Sequence, residues 1–341
     1  MPVEYSGAYL QKFFGQHYGR INPARIYVHD SGMVDFDFGK DRLEVQGIES
    51  FAGLVEWYVG YKLNRGWVSA ELEKSEIQQH QVIRWLKSRI AHGTAQQGSA
   101  VKTFIGADIC YRFLGYHLAL ISEHANLSRK LIERLKLPDS FQAARFEVSI
   151  AAAMITAGFE LEYKPEKGPG KHPEFIATDL ETGLKYAVEA KTKRRDGVLG
   201  FSNPKDDQQS LTVGARRLLR DAVEKDTDLP LIAFVDLNLP DKMPGPESLI
   251  LRQLDDATKT LDKSYWEQGD FPCIGGFFFN DSTAYYSEEK IDLSEKYAWV
   301  YKFTYDNRHK INPHDIFLRI EEGFKKSARI PDINWKIKHS N

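Results

Sequence analysis

From residue 139 onward, apolar and polar positions predict helices and strands in regular alternation. Residues 139–159 have apolar side chains at helical spacing, with Asp139 or Ser140 as the predicted N-cap and Gly158 as the stop. Strands are predicted at 160–163, 173–178, 184–191, 229–238 and 273–280, and further helices at 210–226 and 246–266. The order α-β-β-β-α-β-α-β predicts an α/β fold with a mixed sheet flanked by helices.

The N-terminal part of the chain has a mainly helical pattern. The segment "ARIYVHDSGMVDFDFG" alternates loosely around turn residues and predicts a hairpin. Helical spacing predicts helices at 48–63, at 71–93 and, as one or two helices, within 100–137. The last of these should end before Pro138, and the small polar segment 93–100 is the predicted linker.

Length and composition divide the chain and limit its roles. A chain of 341 residues is long enough for two domains, predicted at 1–135 (mainly helical) and at 138–341 (α/β, with a basic C-terminal tail). The composition is that of a globular protein, with 42% hydrophobic and 28% charged residues. A net charge of -2 argues against a histone-like coating role, but it is compatible with an enzyme that contacts nucleic acid through a local patch.

The chain is expected to be cytoplasmic and not bound to membranes. It has no apolar run long enough to span a bilayer, and its first residues lack the basic-then-apolar pattern of a signal peptide. Cys110 and Cys273 lie far apart in apolar surroundings, which predicts buried free thiols in a reducing compartment. No Cys/His spacing indicates a structural zinc site.

Glu147 is a candidate functional residue because of its place on the helix predicted at 139–159. The residues three and four positions away are small or apolar: Ala143, Ala144, Ile150 and Ala151. Glu147 should therefore lie on the face that packs against the sheet. A buried carboxylate needs a cation, whether a metal ion or a neighbouring side chain such as Arg145.

The strand "LKYAVEAK" carries an acid and a base on one face. Because side chains alternate along a strand, Glu189 and Lys191 share a face, opposite the uncharged face of Tyr186 and Val188. One interpretation is a solvated outer face. The other is a site that also includes Glu174, which follows Pro173 at the start of the preceding strand and should lie near Glu189 across the hairpin formed by "DLETG".

Converging carboxylates of this kind suit a hard divalent cation. Mg²⁺ takes oxygen ligands from a few carboxylates and keeps room for water and phosphate. Glu174 and Glu189 are the predicted ligands, and Glu147 would complete or tune the metal site. Lys191 would then assist the attacking water or neutralise charge on the phosphate.

This constellation resembles the PD-(D/E)xK nuclease superfamily, whose fold is the restriction-endonuclease-like fold. Pro173-Glu174 matches the "PD" pair, Glu189-Ala190-Lys191 matches "(D/E)xK", and Glu147 matches the acid that such enzymes often carry on the preceding helix. The resemblance covers about residues 138–280, and the predicted element order is similar to the family core. One departure is Glu174, which is one methylene longer than the family's aspartate.

Basic residues near the predicted site suit contacts with a nucleic-acid backbone. Lys193, Arg194 and Arg195 directly follow the Glu189–Lys191 strand, and Arg216 lies on the next predicted helix. The alternative is a solvated basic loop. His172 is expected to be an ordinary loop residue.

The resemblance implies a metal-dependent endonuclease that hydrolyses phosphodiester bonds with Mg²⁺, for which Mn²⁺ can substitute. DNA is the expected substrate, with RNA left open, and defence against foreign DNA is the role that the resemblance suggests. Residues 1–135 are expected to supply target choice, dimerisation or partner binding. The main alternative is a catalytically inactive nuclease fold that binds nucleic acid or protein, and another is an enzyme that uses the Glu/Lys pair for different acid–base chemistry.

Overall fold

The computed structural model describes residues 3–5, 25–95, 104–163, 171–193, 211–238, 247–266, 272–280, 290–291, 299–305 and 309–335. Within these ranges the chain is a mixed α/β structure that contains a six-stranded mixed sheet. No helix in this described part is long and apolar enough to cross a membrane.

The N-terminal part begins with an antiparallel sheet in the order β1-β2-β3-β4. Its strands are β1 (Val3–Tyr5), β2 (Arg25–Val28), β3 (Met33–Phe38) and β4 (Asp41–Gln46). The predicted hairpin is confirmed as β2 and β3, which pair antiparallel. The sequence pattern missed β4, because only Val45 on this strand is buried and its alternation of apolar and polar residues is weak.

Helices follow this sheet, and the observed bounds correct one prediction. They are α1 (Phe51–Lys62), α2 (Arg65–Leu72), α3 (Gln81–Ala95), α4 (Gly106–His124) and α5 (Arg129–Lys136). A short strand β5 (Phe104–Ile105) precedes α4. The prediction of a single helix over 71–93 is wrong, because a 3-10 turn at Glu76–Gln78 interrupts it. At this break the Glu71 carboxylate accepts a hydrogen bond from the His80 amide at 3.0 Å. The predicted linker falls partly in α3, and residues 96–100 lie outside the described ranges.

The predicted order of elements after residue 138 is confirmed. The elements are α6 (Pro138–Thr156), β6 (Phe159–Glu162), β7 (Phe175–Asp179), β8 (Lys185–Thr192), α7 (Leu211–Val223), β9 (Leu231–Asp236), α8 (Glu247–Trp266) and β10 (Cys273–Asn280). Beyond them lie β11 (Lys290–Ile291), β12 (Trp299–Thr304) and α9 (His314–Ser327). The strand order is β12-β10-β9-β8-β7-β6, in which β8, β9 and β10 are parallel.

The start of α6 differs from the prediction. Its N-cap is Leu137 rather than Asp139 or Ser140, and Pro138 occupies the first helical position, where its fixed φ and missing N–H are both tolerated. The Ser140 hydroxyl instead donates to the Arg134 carbonyl oxygen at 2.8 Å. The helix ends at Thr156, close to the predicted stop at Gly158, whose φ of 93° is in the left-handed region.

Helices cover both faces of the six-stranded sheet. On one face, Tyr186 and Val188 of β8 belong to the same buried cluster as Ile150 and Ala151 of α6. On the other face, Ala187 packs in a second cluster with residues of α7 and α8. Because the first cluster also contains Val34 and other N-terminal residues, one core spans the boundary between the two predicted domains, and the division at 135–138 stays a prediction. Cys110 and Cys273 are both buried thiols, as predicted.

A buried ion pair at the turn between β7 and β8 supports the register of this hairpin. The Asp179 carboxylate accepts hydrogen bonds from the Glu181 amide at 3.1 Å and the Thr182 hydroxyl at 2.7 Å. Arg319 of α9 donates to both Asp179 oxygens, at 2.9 and 2.6 Å. The turn closes at Gly183, whose φ of 73° favours glycine. This turn connects the two strands on which the candidate site lies.

Candidate active site

The end of the β7–β8 pairing brings Glu174 close to Glu189. Phe175 pairs with Val188, and the amide of Glu174, the residue before β7, donates to the Val188 carbonyl oxygen at 3.0 Å. The Glu174 carboxylate lies close enough to Glu189 to raise its pKa. Pro173 fits just before this point because it has no amide proton to contribute to the ladder.

Glu189 is buried, and two lysines contact one of its oxygens. Its side chain has 0% exposure, so the interpretation of a solvated outer face is wrong for this residue. Lys191 Nζ lies 2.5 Å from Glu189 Oε1, and Lys225 Nζ lies 3.0 Å from the same oxygen. By distance and angle together, neither oxygen of this carboxylate has a hydrogen-bond partner within the described residues. An oxygen left in this state is costly in a folded protein unless a ligand uses it.

The surroundings of Glu189 have opposing effects on its pKa. Burial raises the pKa of Glu189 and the Glu174 carboxylate raises it further, whereas Lys191 and Lys225 lower it, and the resulting pKa is about 7. Burial alone would lower the pKa of Lys191, but the neighbouring Glu189 carboxylate outweighs this effect and raises it. Glu189 therefore changes charge near neutral pH while Lys191 stays an ammonium ion.

Glu147 lies on the buried face of α6, as predicted, and it contacts Arg134. Arg134 Nη1 donates to Glu147 Oε2 at 2.6 Å and lies 3.8 Å from Glu174 Oε2. Burial raises the pKa of Glu147, the nearby Glu174 carboxylate raises it further and Arg134 lowers it, so the pKa is about 8. The guanidinium group of Arg134 thus joins the acid on α6 to the acid before β7.

Tyr163 adds a phenol beside these two acids. Its hydroxyl oxygen is buried without a hydrogen-bond partner in the described part of the chain, and its ring centroid lies 5.5 Å from that of Phe175. Burial raises the pKa of Tyr163 well above its ordinary value, and the charges of Glu147 and Glu174 add to this effect. Tyr163 therefore stays protonated and can donate a hydrogen bond.

Three residues at this site, Arg134, Tyr163 and Lys225, were not predicted from the sequence. Arg134 lies on a short amphipathic helix rich in charged residues, and Lys225 follows α7 in the charged segment "EKDTD". Nothing in their local sequence distinguishes these cations from solvated ones. The sequence pattern places Tyr163 at the end of a predicted strand and indicates no functional role for it.

The donor atoms are of the type that binds a hard cation, but the carboxylates are paired with side-chain cations. No group of three or more His, Cys, Asp or Glu side chains among the described residues is placed to hold a metal ion. Arg134 contacts Glu147, and the two lysines contact Glu189 Oε1. Mg²⁺ is often bound through only one or two protein carboxylates, and the oxygen donors of Glu174 and Glu189 are of the type that it uses.

The predicted nucleic-acid contacts are only partly described. The Lys193 main chain is held by β9, since its amide donates to the Asp236 carbonyl oxygen at 2.9 Å and its own carbonyl accepts from Asn238 Nδ2 at 3.0 Å. Arg216 is exposed on α7, beside the exposed Arg217. Arg194 and Arg195 lie outside the described residues.

His172 contributes its backbone to the site. Its carbonyl oxygen accepts a hydrogen bond from Lys225 Nζ at 3.0 Å. This residue was expected to be an ordinary loop residue, and the contact gives its position a structural role.

No protein-family model, curated protein or solved structure matches this chain. The proposed function therefore rests on the geometry of these residues and on the resemblance of their spacing to a nuclease motif.

Proposed function

We propose that this protein is a metal-dependent endonuclease with a restriction-endonuclease-like core, acting on DNA. The observation that carries the proposal is the buried Glu189, whose Oε1 lies 2.5 Å from Lys191 Nζ while its Oε2 has no hydrogen-bond partner in the described residues. The Glu174 carboxylate lies close enough to raise the pKa of Glu189. A buried acid with one unused oxygen, beside a second acid and a lysine, suits phosphodiester hydrolysis better than it suits a structural core.

Glu174 and Glu189 would hold the metal ion, which we propose to be Mg²⁺ with Mn²⁺ as a substitute. When bound, such an ion supplies charge neutralisation at the phosphate and lowers the pKa of water. Glu189 lies on β8 and Glu174 directly precedes β7, so the β7–β8 hairpin limits the separation of the two residues.

Lys191 would act on the water and the phosphate. Hydrolysis forms a bond from the water oxygen to phosphorus and breaks the bond from phosphorus to the leaving sugar oxygen, which takes up a proton. The raised pKa of Lys191 keeps it cationic, so its ammonium group is suited to orienting the water and stabilising the charge that develops on the phosphate.

Glu147 would tune the site through Arg134 and Glu174. Because Arg134 Nη1 contacts Glu147 at 2.6 Å and Glu174 at 3.8 Å, the charge on Glu147 affects how strongly Arg134 holds Glu174. We assign Glu147 this tuning role within the predicted set of metal-site residues.

Contacts with the nucleic-acid backbone would come from the basic residues predicted from the sequence. The candidates are Lys193, Arg194, Arg195 and Arg216, of which Arg216 is exposed on α7. Such contacts hold the duplex without reading its sequence. With a net charge of -2, the chain would bind through this local patch rather than through its overall charge.

Incubation of the purified protein with supercoiled plasmid, linear DNA and single-stranded RNA tests this proposal. Each substrate is tested with Mg²⁺, with Mn²⁺ and with a chelator, and Glu189→Gln is the matched inactive variant. We expect nicking or linearisation of DNA that requires the metal ion and is lost in Glu189→Gln. Metal binding and DNA binding without cleavage by the wild-type protein would favour the inactive binding module.

A further inference from the structure

Lys225 belongs to the candidate site although it lies outside the nuclease motif. Its Nζ lies 3.0 Å from Glu189 Oε1 and donates to the His172 carbonyl oxygen at 3.0 Å. Its side chain is only 11% exposed, so this ammonium group is largely removed from water. Removing this ammonium group from water costs free energy. Its contacts with two oxygen atoms offset that cost.

Three contacts join the end of α7 to the segment that leads into β7, and Lys225 makes one of them. The Asp226 amide donates to the Lys171 carbonyl oxygen at 2.9 Å, and Lys171 Nζ donates to Glu224 Oε2 at 2.9 Å. The third contact, from Lys225 to His172, continues inward to Glu189. Lys225 thereby connects both predicted metal ligands, since His172 is two residues before Glu174.

The position of Glu174 depends on this connection because Glu174 lies outside β7 itself. The strand begins at Phe175, and the residues before 171 are not among those described. On the strand side, Glu174 is held by its amide hydrogen bond to the Val188 carbonyl oxygen. On the other side lies the buried Pro173, and the nearest hydrogen bond among the described residues is the one that the His172 carbonyl oxygen accepts from Lys225.

We propose that Lys225 is a positioning residue that clamps the segment 171–174 onto Glu189 and so sets the placement of the Glu174 and Glu189 carboxylates relative to each other. The role in catalysis rests on the proposed nuclease function, whereas the clamp itself does not. Both lysines contact Oε1 of Glu189. Oε2 has no hydrogen-bond partner in the described residues, and it is the oxygen that we propose for the metal ion.

A positioning role and a mere counterion role predict opposite effects on metal affinity. If Lys225 only neutralises Glu189, its removal takes away a competing positive charge, and a divalent cation should bind more tightly. If Lys225 positions the two acids, its removal separates them and weakens cation binding. Residues that support metal ligands from outside the coordination sphere typically contribute about 10- to 100-fold to affinity.

Hydrogen exchange on the full-length protein tests the clamp without any assay of cleavage. In Lys225→Met, we expect the Glu174 amide to exchange about tenfold faster, because one charged hydrogen bond that holds this segment is lost. Lys171→Met is the matched control, since it removes a more exposed ion pair between the same two segments and should change this rate by less than about threefold. Lys225→Arg keeps the charge and a long donor, and it should largely restore slow exchange.

Titration with Mn²⁺, followed by the electron paramagnetic resonance of free Mn²⁺, gives the second readout. We expect Lys225→Met to bind Mn²⁺ at least about tenfold more weakly and Lys225→Arg to recover most of the affinity. In cleavage, Lys225→Met should lower kcat without raising the KM for DNA.

Tighter Mn²⁺ binding with unchanged exchange of the Glu174 amide would overturn the proposal and leave Lys225 a counterion. A wild-type protein that cuts no nucleic acid, while Lys225→Met still shows faster exchange, would overturn the nuclease function and leave the clamp standing.

Discussion

Lys191 and Glu189 project from the same face of β8, and the ammonium nitrogen of Lys191 lies 2.5 Å from Oε1 of a carboxylate that has no exposed surface. Alternation along a strand places residues two apart on one face, but burial of the pair comes from the helices packed over that face. Removing these charges from water costs free energy of desolvation. Substitution of Lys191 measures what the pair contributes to cleavage.

Lys191→Ala should abolish cleavage without weakening the binding of the metal ion or of DNA. Lysine is not a ligand for Mg²⁺, and interactions made mainly in the transition state are lost from turnover rather than from ground-state binding. We expect single-turnover cleavage to fall at least about a hundredfold. The control is Lys185→Ala, an exposed lysine on the same strand. Cleavage by Lys191→Ala at the wild-type rate would reduce Lys191 to a structural ion-pair partner.

Mn²⁺ should raise the melting temperature of the wild-type protein, and Glu189→Gln should remove that rise. A ligand that binds only the folded state stabilises it by mass action. Because the pKa of Glu189 is about 7, protons compete with the metal ion, so the rise should be larger at pH 8 than at pH 6.

Differential scanning fluorimetry across a Mn²⁺ series at both pH values measures this effect. Glu160→Gln, which changes an exposed acid on β6, is the control. An equal rise in melting temperature for Glu189→Gln and the wild type would place the ion elsewhere on the protein.

Glu147→Gln should stabilise the metal-free protein at pH 8 and have little effect near pH 4. The pKa of Glu147 rises from 4.5 to about 8 on folding, so between these values the folded state binds more protons than the unfolded state. Its contribution to stability is therefore present at low pH and is lost as pH rises through this window. Glutamine resembles the protonated acid and avoids that loss, which we expect to be about 1–3 kcal/mol.

Urea unfolding in the presence of a chelator at pH 4 and pH 8 measures this difference. Glu133→Gln removes an exposed acid on α5 and should change the free energy of unfolding equally at both pH values. A loss of stability in Glu147→Gln at pH 8 would mean that the ion pair with Arg134 outweighs the cost of burial.

The basic residues should contribute to DNA affinity but not to its sequence preference. Combined Arg194→Ala and Arg195→Ala, and separately Arg216→Ala, should weaken binding uniformly across sequences. Each lost phosphate contact should lower the slope of log affinity against log salt by about 1. Fluorescence anisotropy over a salt series measures this slope, with Arg42→Ala, an 81% exposed arginine of the N-terminal sheet, as control. Unchanged slopes in both variants would remove this surface from the DNA interface.

Arg319→Met should destabilise the β7–β8 hairpin from the end opposite the site. It would leave the fully buried Asp179 side chain without its bidentate partner, and breaking a buried ion pair in this way typically costs about 3–5 kcal/mol. Urea unfolding of Arg319→Met and of the double variant Arg319→Met, Asp179→Asn measures the effect. The double variant should recover part of the loss because asparagine carries no charge. Equal destabilisation in both variants would assign the effect to packing of Arg319 over Phe159 instead.

Local sequence determined the order of elements from α6 to β10 and the hairpin that carries Glu174 and Glu189. Apolar spacing distinguishes helices from strands because each has its own period, and the "DLETG" turn dictates antiparallel pairing of the strands on either side. The same periodicity placed Glu147 on the buried face of α6 and put Glu189 and Lys191 on one face of β8. These features depend on residues only a few positions apart.

Tertiary structure alone decided which cations, and which phenol, meet those acids. Arg134, Tyr163 and Lys225 approach Glu147, Glu174 and Glu189 only because α5, the end of β6 and the end of α7 converge on β7 and β8. Contacts between residues distant along the chain depend on how whole elements pack, and no local pattern encodes that packing. The burial of Glu189 likewise follows from the helices over its face of the sheet, since the sequence alternation was equally compatible with a solvated surface.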